Sequence, residues 1–413
     1  FLRGTPKGYG RISSRRVANL GKKVKGGGSA GQPLIQCSYM IFFVLGSHPE
    51  LSAAEIEAVV GRQTQSVGVT NTWCQVGNVL LGDEVEMSLP NLQARLAGTI
   101  KIGSIIGSLK KWNKEEAADL IRSMISSVDG RVEFGVSAYG NHLSRNVEPL
   151  GLEVKKKLKK DGVTSRLVTS SEATLSSVVI AKNHLLTSGG EFVLIKARDE
   201  VLVGQTETIQ DFEAWSERDF GRPARDAKSG MLPPKLARMM INLSGVEPTR
   251  ASLLDPFCGS GTILMEAALM GFKEIVGSDI SEKAVKDSKK NLRWALHDKN
   301  LPEILLAPAD EVKTDGHVDV VVTEPFLGPP QRGGESKAQL EKMKADLVRL
   351  YQKSFANIHS LLKPGGKLVV AFPTFGGASV MTKPLEGFKP QERFVYERAG
   401  QRVGREIRVY VRV

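Results

Sequence analysis

The residues that most directly suggest chemistry are Asp255-Pro256-Phe257-Cys258-Gly259-Ser260-Gly261-Thr262. Gly259 and Gly261 permit a tight turn and close backbone approach to a ligand, and a helix starting near Thr262 would offer free N–H groups. Asp279 lies 18 residues beyond Gly261, where a carboxylate can accept hydrogen bonds from two ribose hydroxyls. Asp310 follows the next strand-like run, placed to accept from the exocyclic amine of an adenine. A Gly-rich turn alone is only a tight connection, but acceptors at three successive strand ends describe a nucleoside pocket. Phe257, Thr262 and Ile280 are the neighbours that complete its lining. A nicotinamide dinucleotide would want G-x-G-x-x-G, and Leu264 stands at the third glycine's place. S-adenosyl-L-methionine carries no phosphate and needs only close backbone approach, so the turn favours that methyl donor as cofactor.

A second constellation is Thr323-Glu324-Pro325-Phe326-Leu327-Gly328. An exocyclic base amine is a poor nucleophile, because its lone pair is delocalised into the ring. A carboxylate (Glu324) and a rigid backbone carbonyl (Pro325) can accept its N–H hydrogens and aim it, while a flat side chain (Phe326) holds the base. Such positioning can supply several kcal/mol, up to ~7 to 11 in favourable cases. The bland alternative is an acidic turn stiffened by proline. A third is the basic run Lys155, Lys156, Lys157, Lys159 and Lys160, followed by Arg166. Such a run is usually a solvated face; beside a nucleoside-using enzyme it suggests phosphate contacts with RNA. Cys258 reads as a small core-facing residue, with no neighbouring His or Lys to activate it. The six histidines have no metal-ligand spacing, so no metal is expected.

The elements that must hold these residues follow from periodicity. Met40–Leu45, Leu51–Val60, Ser66–Val76, Val79–Leu81, Asn91–Leu96 and Thr99–Ile106 give a β-α-β-β-α-β order, the ferredoxin-like plan, over residues 40–109. Residues 110–206 form a second α+β unit: helix Glu115–Ser127, strand Arg131–Ala138, basic helix Leu150–Lys160, strand Ser165–Thr169, helix Ala173–Leu186, and strands Phe192–Lys196 and Val201–Thr206. Residues 207–232 lack clear periodicity and read as a linker. From 233 to 413 helices and strands alternate, which predicts an α/β fold with a mostly parallel sheet covered on both faces. Ligands of such sheets bind beyond the carboxyl ends of the strands, where both constellations fall.

Composition narrows the class. The formal charge of +12 overstates the case for nucleic acid, because eight unopposed Lys and Arg lie in the first 39 residues. That Gly- and Ser-rich basic tail is expected to be disordered; Met40, which opens the first strand, is an alternative start that would leave residues 1–39 outside the native protein. No apolar run approaches the ~18 to 20 residues of a membrane span. Three unpaired cysteines argue against a disulfide framework and fit a cytoplasmic location.

With these residues in hand, the chain resembles the THUMP-domain tRNA methyltransferases, the group that methylates the exocyclic N2 of a guanosine near the D-stem. The resemblance covers about Met40 to Val413. It is carried by Arg222-Pro223, Gly230-Met231-Leu232-Pro233-Pro234-Lys235-Leu236-Ala237, the Asp255–Thr262 turn, and Gly400-Gln401-Arg402-Val403-Gly404-Arg405-Glu406-Ile407. It implies a ferredoxin-like domain, a THUMP domain that grips the tRNA acceptor end, a linker, and a Rossmann-like class I methyltransferase domain. Asp255, Gly259, Gly261, Asp279 and Asp310 would line its donor site. One departure stands out: the family's loop is Asp or Asn, then Pro-Pro, then Tyr or Phe, whereas this chain has Glu324, Pro325, Phe326 and Leu327. Two other readings stay open, amino-methylation of adenine or cytosine in RNA or DNA, and a non-catalytic tRNA-binding relative. Whether a helper subunit takes part is not written in the chain.

Overall fold

The computed structural model describes residues 40–65, 74–83, 85–125, 130–140, 142–197, 200–225, 231–331, 334–398 and 400–413. The tail at 1–39 and most of the strand expected at 66–76 lie outside them. Two eight-stranded sheets organise the rest.

The first sheet begins with β1 (Ile41–Leu45), α1 (Pro49–Gln65), β2 (Cys74–Val76), β3 (Val79–Gly82), α2 (Leu89–Arg95) and β4 (Thr99–Leu109), in the order expected from periodicity. It continues through α3 (Lys114–Met124), β5 (Val132–Tyr139), α4 (Val147–Lys160), β6 (Ser165–Val168), α5 (Ser177–Lys182), β7 (Gly190–Ala197) and β8 (Glu200–Ile209). The strand order is β2-β3-β1-β4-β8-β7-β5-β6. The two units expected as separate sheets are therefore one: β4 is long enough to pair antiparallel with β1 on one edge and with β8 on the other. A buried ion pair ties the join. Lys101 on β4 donates to Glu191 on β7 at 2.6 Å and to the Leu175 carbonyl at 2.6 Å, while Ser137 and Thr206 also donate to Glu191. A buried pair so fully hydrogen-bonded meets its desolvation cost locally. α5 is shorter than expected, because the Ser176 hydroxyl caps it by accepting from the Val179 N–H.

The described residues of the segment expected as a linker, 207–225 and 231–232, are packed. The segment holds α6 (Phe212–Ser216), capped by Asp211, then a wider π-helical turn over Glu217–Gly221. Trp215 and Arg222 are buried. The sequence hides this because single large side chains, not a stripe, do the packing.

Then follow α7 (Pro234–Leu243), β9 (Ser252–Asp255), α8 (Thr262–Leu269), β10 (Glu274–Asp279), α9 (Glu282–Leu296), β11 (Glu303–Leu306), β12 (Val318–Thr323) and α10 (Lys337–Leu361). β13 (Leu362–Phe375), β14 (Ala378–Ser379), β15 (Phe388–Tyr396) and β16 (Val403–Arg412) close the chain. The sheet order is β11-β10-β9-β12-β13-β16-β15, parallel from β11 to β13 and antiparallel beyond. β9 is buried along its whole length, as a strand covered on both faces must be. Between β9 and β12 the chain reverses its direction of travel across the sheet, and a crevice opens at the carboxyl ends of the strands. α1 packs on α7: Glu55 accepts from the Ala97 and Gly98 N–H groups at 2.9 and 2.8 Å and from Asn242 at 2.7 Å.

Candidate active site at the carboxyl ends of β9, β10 and β12

The Gly-rich turn runs from β9 into α8, and Gly261 is the residue that precedes the helix, at φ +82. A Cβ there would meet the Ser288 hydroxyl at 2.3 Å. Gly259 has φ +50 and open space where a Cβ would stand. The turn is thus tight on its inner side and clear on its outer side, the shape that backbone approach to a ligand requires. The Gly259 N–H donates to Asp279 Oδ2 at 2.9 Å, and the Ser281 N–H donates to Oδ1 at 2.8 Å. Those two bonds fix the carboxylate at the end of β10, and each oxygen keeps a lone pair for a ribose hydroxyl. Ile280, beside it, is 76% exposed, an apolar surface free for a flat ring. Asp310 is exposed in the turn after β11, and Phe257 is half-buried. These residues fit a nucleoside donor.

Asp255 and Thr262 also tie the turn to its surroundings. Asp255 is buried, and its Oδ1 accepts from the Thr323 hydroxyl at 2.7 Å and the Phe257 N–H at 3.2 Å. It braces the Gly-rich turn against the Glu324 loop. Burial pushes its carboxyl up to about 7, with Asp279 and Glu324 adding to the rise and the two hydrogen bonds opposing it. The Thr262 hydroxyl is buried and accepts from Arg222 at 2.6 Å. Cys258 faces the core, and burial raises its thiol well above the ordinary range, as a core-facing residue should behave.

Glu324 follows β12 and meets Arg405 on β16, Nε to Oε1 at 2.5 Å and Nη2 to Oε2 at 3.4 Å. Burial raises its carboxyl, and Arg405 opposes that rise. In sequence Arg405 stands in the Gly400–Ile407 motif with no role attached to it. β16 also carries Glu406, Arg408 and Arg412, so nothing local in the sequence singles Arg405 out as the partner of Glu324. Pro325 is buried, while Phe326 is 56% exposed and its carbonyl accepts from the Tyr351 hydroxyl at 2.6 Å. The loop thus presents a fixed carboxylate and an aromatic face on the same edge as Asp279.

Within the basic run on α4, Lys157 differs from its neighbours in being drawn against another helix. Lys157 sits against α3 and pairs with Asp119 at 2.7 Å and Glu115 at 3.2 Å, because this stripe of α4 packs on the acidic start of α3. Lys156 lies 3.6 Å from Glu153, and Arg166 pairs with Glu133 at 3.1 Å. Lys155, Lys156, Lys159, Lys160 and Arg166 are all exposed, and surface pairs such as those of Lys156 and Arg166 contribute little.

Among the described residues, no group of three or more His, Cys, Asp or Glu could hold a metal ion. Among them, too, no helix is long and apolar enough to cross a membrane. Residues 222–376 match the family described as UPF0020, RMKL-like, methyltransferase domain. The tRNA (guanine(10)-N2)-dimethyltransferase of Methanothermobacter thermautotrophicus is 27% identical over 398 residues, which span 91% of this chain and 98% of that protein. The probable tRNA (guanine(10)-N2)-dimethyltransferase of Methanothermococcus thermolithotrophicus is 32% identical over 33% of this chain and 78% of its own length. The chain belongs to the tRNA (guanine(10)-N2)-dimethyltransferase family. TrmN from Thermus thermophilus shares the fold, with a TM-score of 0.56 and 18% identity over 91% of this chain and all of that one. The resemblance carried by Asp255–Thr262 and Gly400–Ile407 is thereby borne out, and the second sheet is a Rossmann-like methyltransferase domain.

Proposed function

We propose that this chain transfers a methyl group from S-adenosyl-L-methionine to the exocyclic N2 of a guanosine in tRNA, at the nucleotide that its relatives' names give as position 10. The observation that carries the reading is one shared edge. The Gly259 N–H on Asp279 at 2.9 Å and the Asp255–Thr323 bond at 2.7 Å lock the donor turn and the Glu324 loop side by side. Bound there, the donor supplies an electrophilic methyl on a sulfonium. The chain's own residues orient the two reactants. Asp279 accepts from the ribose and Asp310 from the adenine amine, with Ile280 against the ring. Glu324 and the Pro325 carbonyl accept the N–H hydrogens of the target amine, directing its nitrogen lone pair, while Phe326 stacks on the base. The target base leaves its stack to reach this crevice, at a cost of a few kcal/mol.

The first sheet serves as the RNA-holding part, with residues 40–109 as a ferredoxin-like domain and 110–206 as a THUMP domain. Lys155, Lys159 and Lys160 are its phosphate contacts, and a cytoplasmic setting suits the reaction. Incubating the protein with unmodified tRNA and donor carrying a labelled methyl, then digesting the RNA, tests the reading. N2-methylguanosine as the labelled nucleoside supports it. Labelled adenosine or cytidine would move the substrate to another amine, and no label in any nucleoside would leave only a tRNA-binding relative.

A further inference from the structure

We propose that Arg405 is a positioning residue for the transfer: its guanidinium holds the Glu324 carboxylate ionised and fixed by Oε1, leaving Oε2 to accept an N–H of the target amine. The inference rests on the function proposed above and adds a residue to it. Its geometry is specific. Arg405 lies on β16, whose neighbours are β13 and β15, and its side chain is 4% exposed. Nε donates to Oε1 at 2.5 Å, whereas Nη2 reaches Oε2 only at 3.4 Å. One oxygen is therefore firmly held and the other retains most of its accepting capacity. The two-point hold fixes the plane of the carboxylate in a way that a point charge would not.

Among the described residues, three titratable groups face Glu324. Asp255 comes from β9 and raises its own carboxyl partly through Glu324; Tyr351 comes from α10; Arg405 comes from β16. Of these three, Arg405 is the cation. Without it, a buried carboxyl beside another acid takes up a proton, and a protonated acid no longer accepts with both oxygens. The arrangement also accounts for the departure of this loop from the family's Asp or Asn. The extra methylene of Glu324 lets the carboxylate reach back to β16, so acid length and Arg405 belong together. An aspartate there would fall short of the guanidinium.

The test compares wild type with Arg405→Gln, Arg405→Lys and Glu324→Asp. Transfer to tRNA is followed across pH, donor affinity is measured by calorimetry, and the Glu324 carboxyl is titrated by 13C NMR, assigned with Glu324→Gln. In Arg405→Gln the rising limb of kcat should move up by about 1 to 3 pH units, with donor affinity within twofold of wild type and the NMR titration moving alike. Arg405→Lys should restore the limb to near its wild-type position but not the full kcat. Glu324→Asp, although it brings back an acid usual in relatives, should lower kcat about tenfold or more, since both oxygens are then out of register. An Arg405→Gln enzyme with the wild-type limb, or one that loses activity equally at every pH, overturns the proposal. If Arg405→Gln does not fold, Arg405→Lys decides: unchanged kcat overturns it, reduced kcat with an unmoved limb supports it. Should wild type transfer no methyl to tRNA, the substrate reading fails, and the NMR titration still shows whether Arg405 sets the ionisation of Glu324.

Discussion

Alanine at position 261 would place a methyl group 2.3 Å from the Ser288 hydroxyl and 3.2 Å from its Cβ, on a residue held at φ +82. Ser288 is fully buried in α9, so its hydroxyl must turn away and its Cβ and Cα, at 3.2 and 3.3 Å, must yield slightly. The left-handed conformation costs an alanine about 1 to 2 kcal/mol, and overpacking costs about 1 to 3 kcal/mol more. Gly261→Ala should therefore lose about 2 to 5 kcal/mol of stability in urea unfolding. Gly259→Ala is the informative contrast. Its φ is +50 and nothing lies within 4 Å of the new Cβ, so only the conformational cost applies, about 1 to 2 kcal/mol. That methyl stands on the open side of the turn, where the donor is expected. Calorimetry with S-adenosylhomocysteine should show affinity falling about tenfold or more, roughly 1.4 kcal/mol. Wild-type affinity in Gly259→Ala, or wild-type stability in Gly261→Ala, would refute this account of the turn.

Asp279→Ala removes the acceptor for the Gly259 and Ser281 N–H groups and should raise the donor dissociation constant about tenfold or more by calorimetry. Replacing Lys155, Lys159 and Lys160 together by alanine should weaken tRNA binding and shrink its log–log salt slope by about 2. Lys157→Ala should leave that slope unchanged, because its ammonium already pairs with Asp119 and Glu115. The Asp255 carboxyl, raised to about 7 from 3.8, favours the protonated form in the folded state. Its contribution is fully present below about pH 4 and is lost as pH rises through 7, a fall of about 4 kcal/mol. Asp255→Asn should flatten that part of the stability–pH curve measured by urea unfolding.

The catalytic half was the more legible because its elements are long, alternating and punctuated. Gly259 and Gly261 mark the turn from β9 into α8. Periodicity does not say which strands pair, so the fusion of the first two units through β4 and β8 was invisible. Nor does it report three-dimensional partners. In sequence Lys157 reads like its neighbours, yet α3 supplies it with acids, and nothing local pairs Asp255 with Thr323. Arg405 is separated from Glu324 by 81 residues, a distance that no local pattern bridges.

The account turns on the identity of the nucleoside that this crevice modifies. The most direct measurement is nucleoside mass spectrometry of tRNA purified from cells with and without the protein. The account predicts an N2-methylated guanosine, at position 10, that disappears when the protein is removed and returns with the wild-type chain but not with Glu324→Gln. A tRNA nucleoside profile that is the same in both cells, or the loss of a methylated adenosine or cytidine instead, would contradict it.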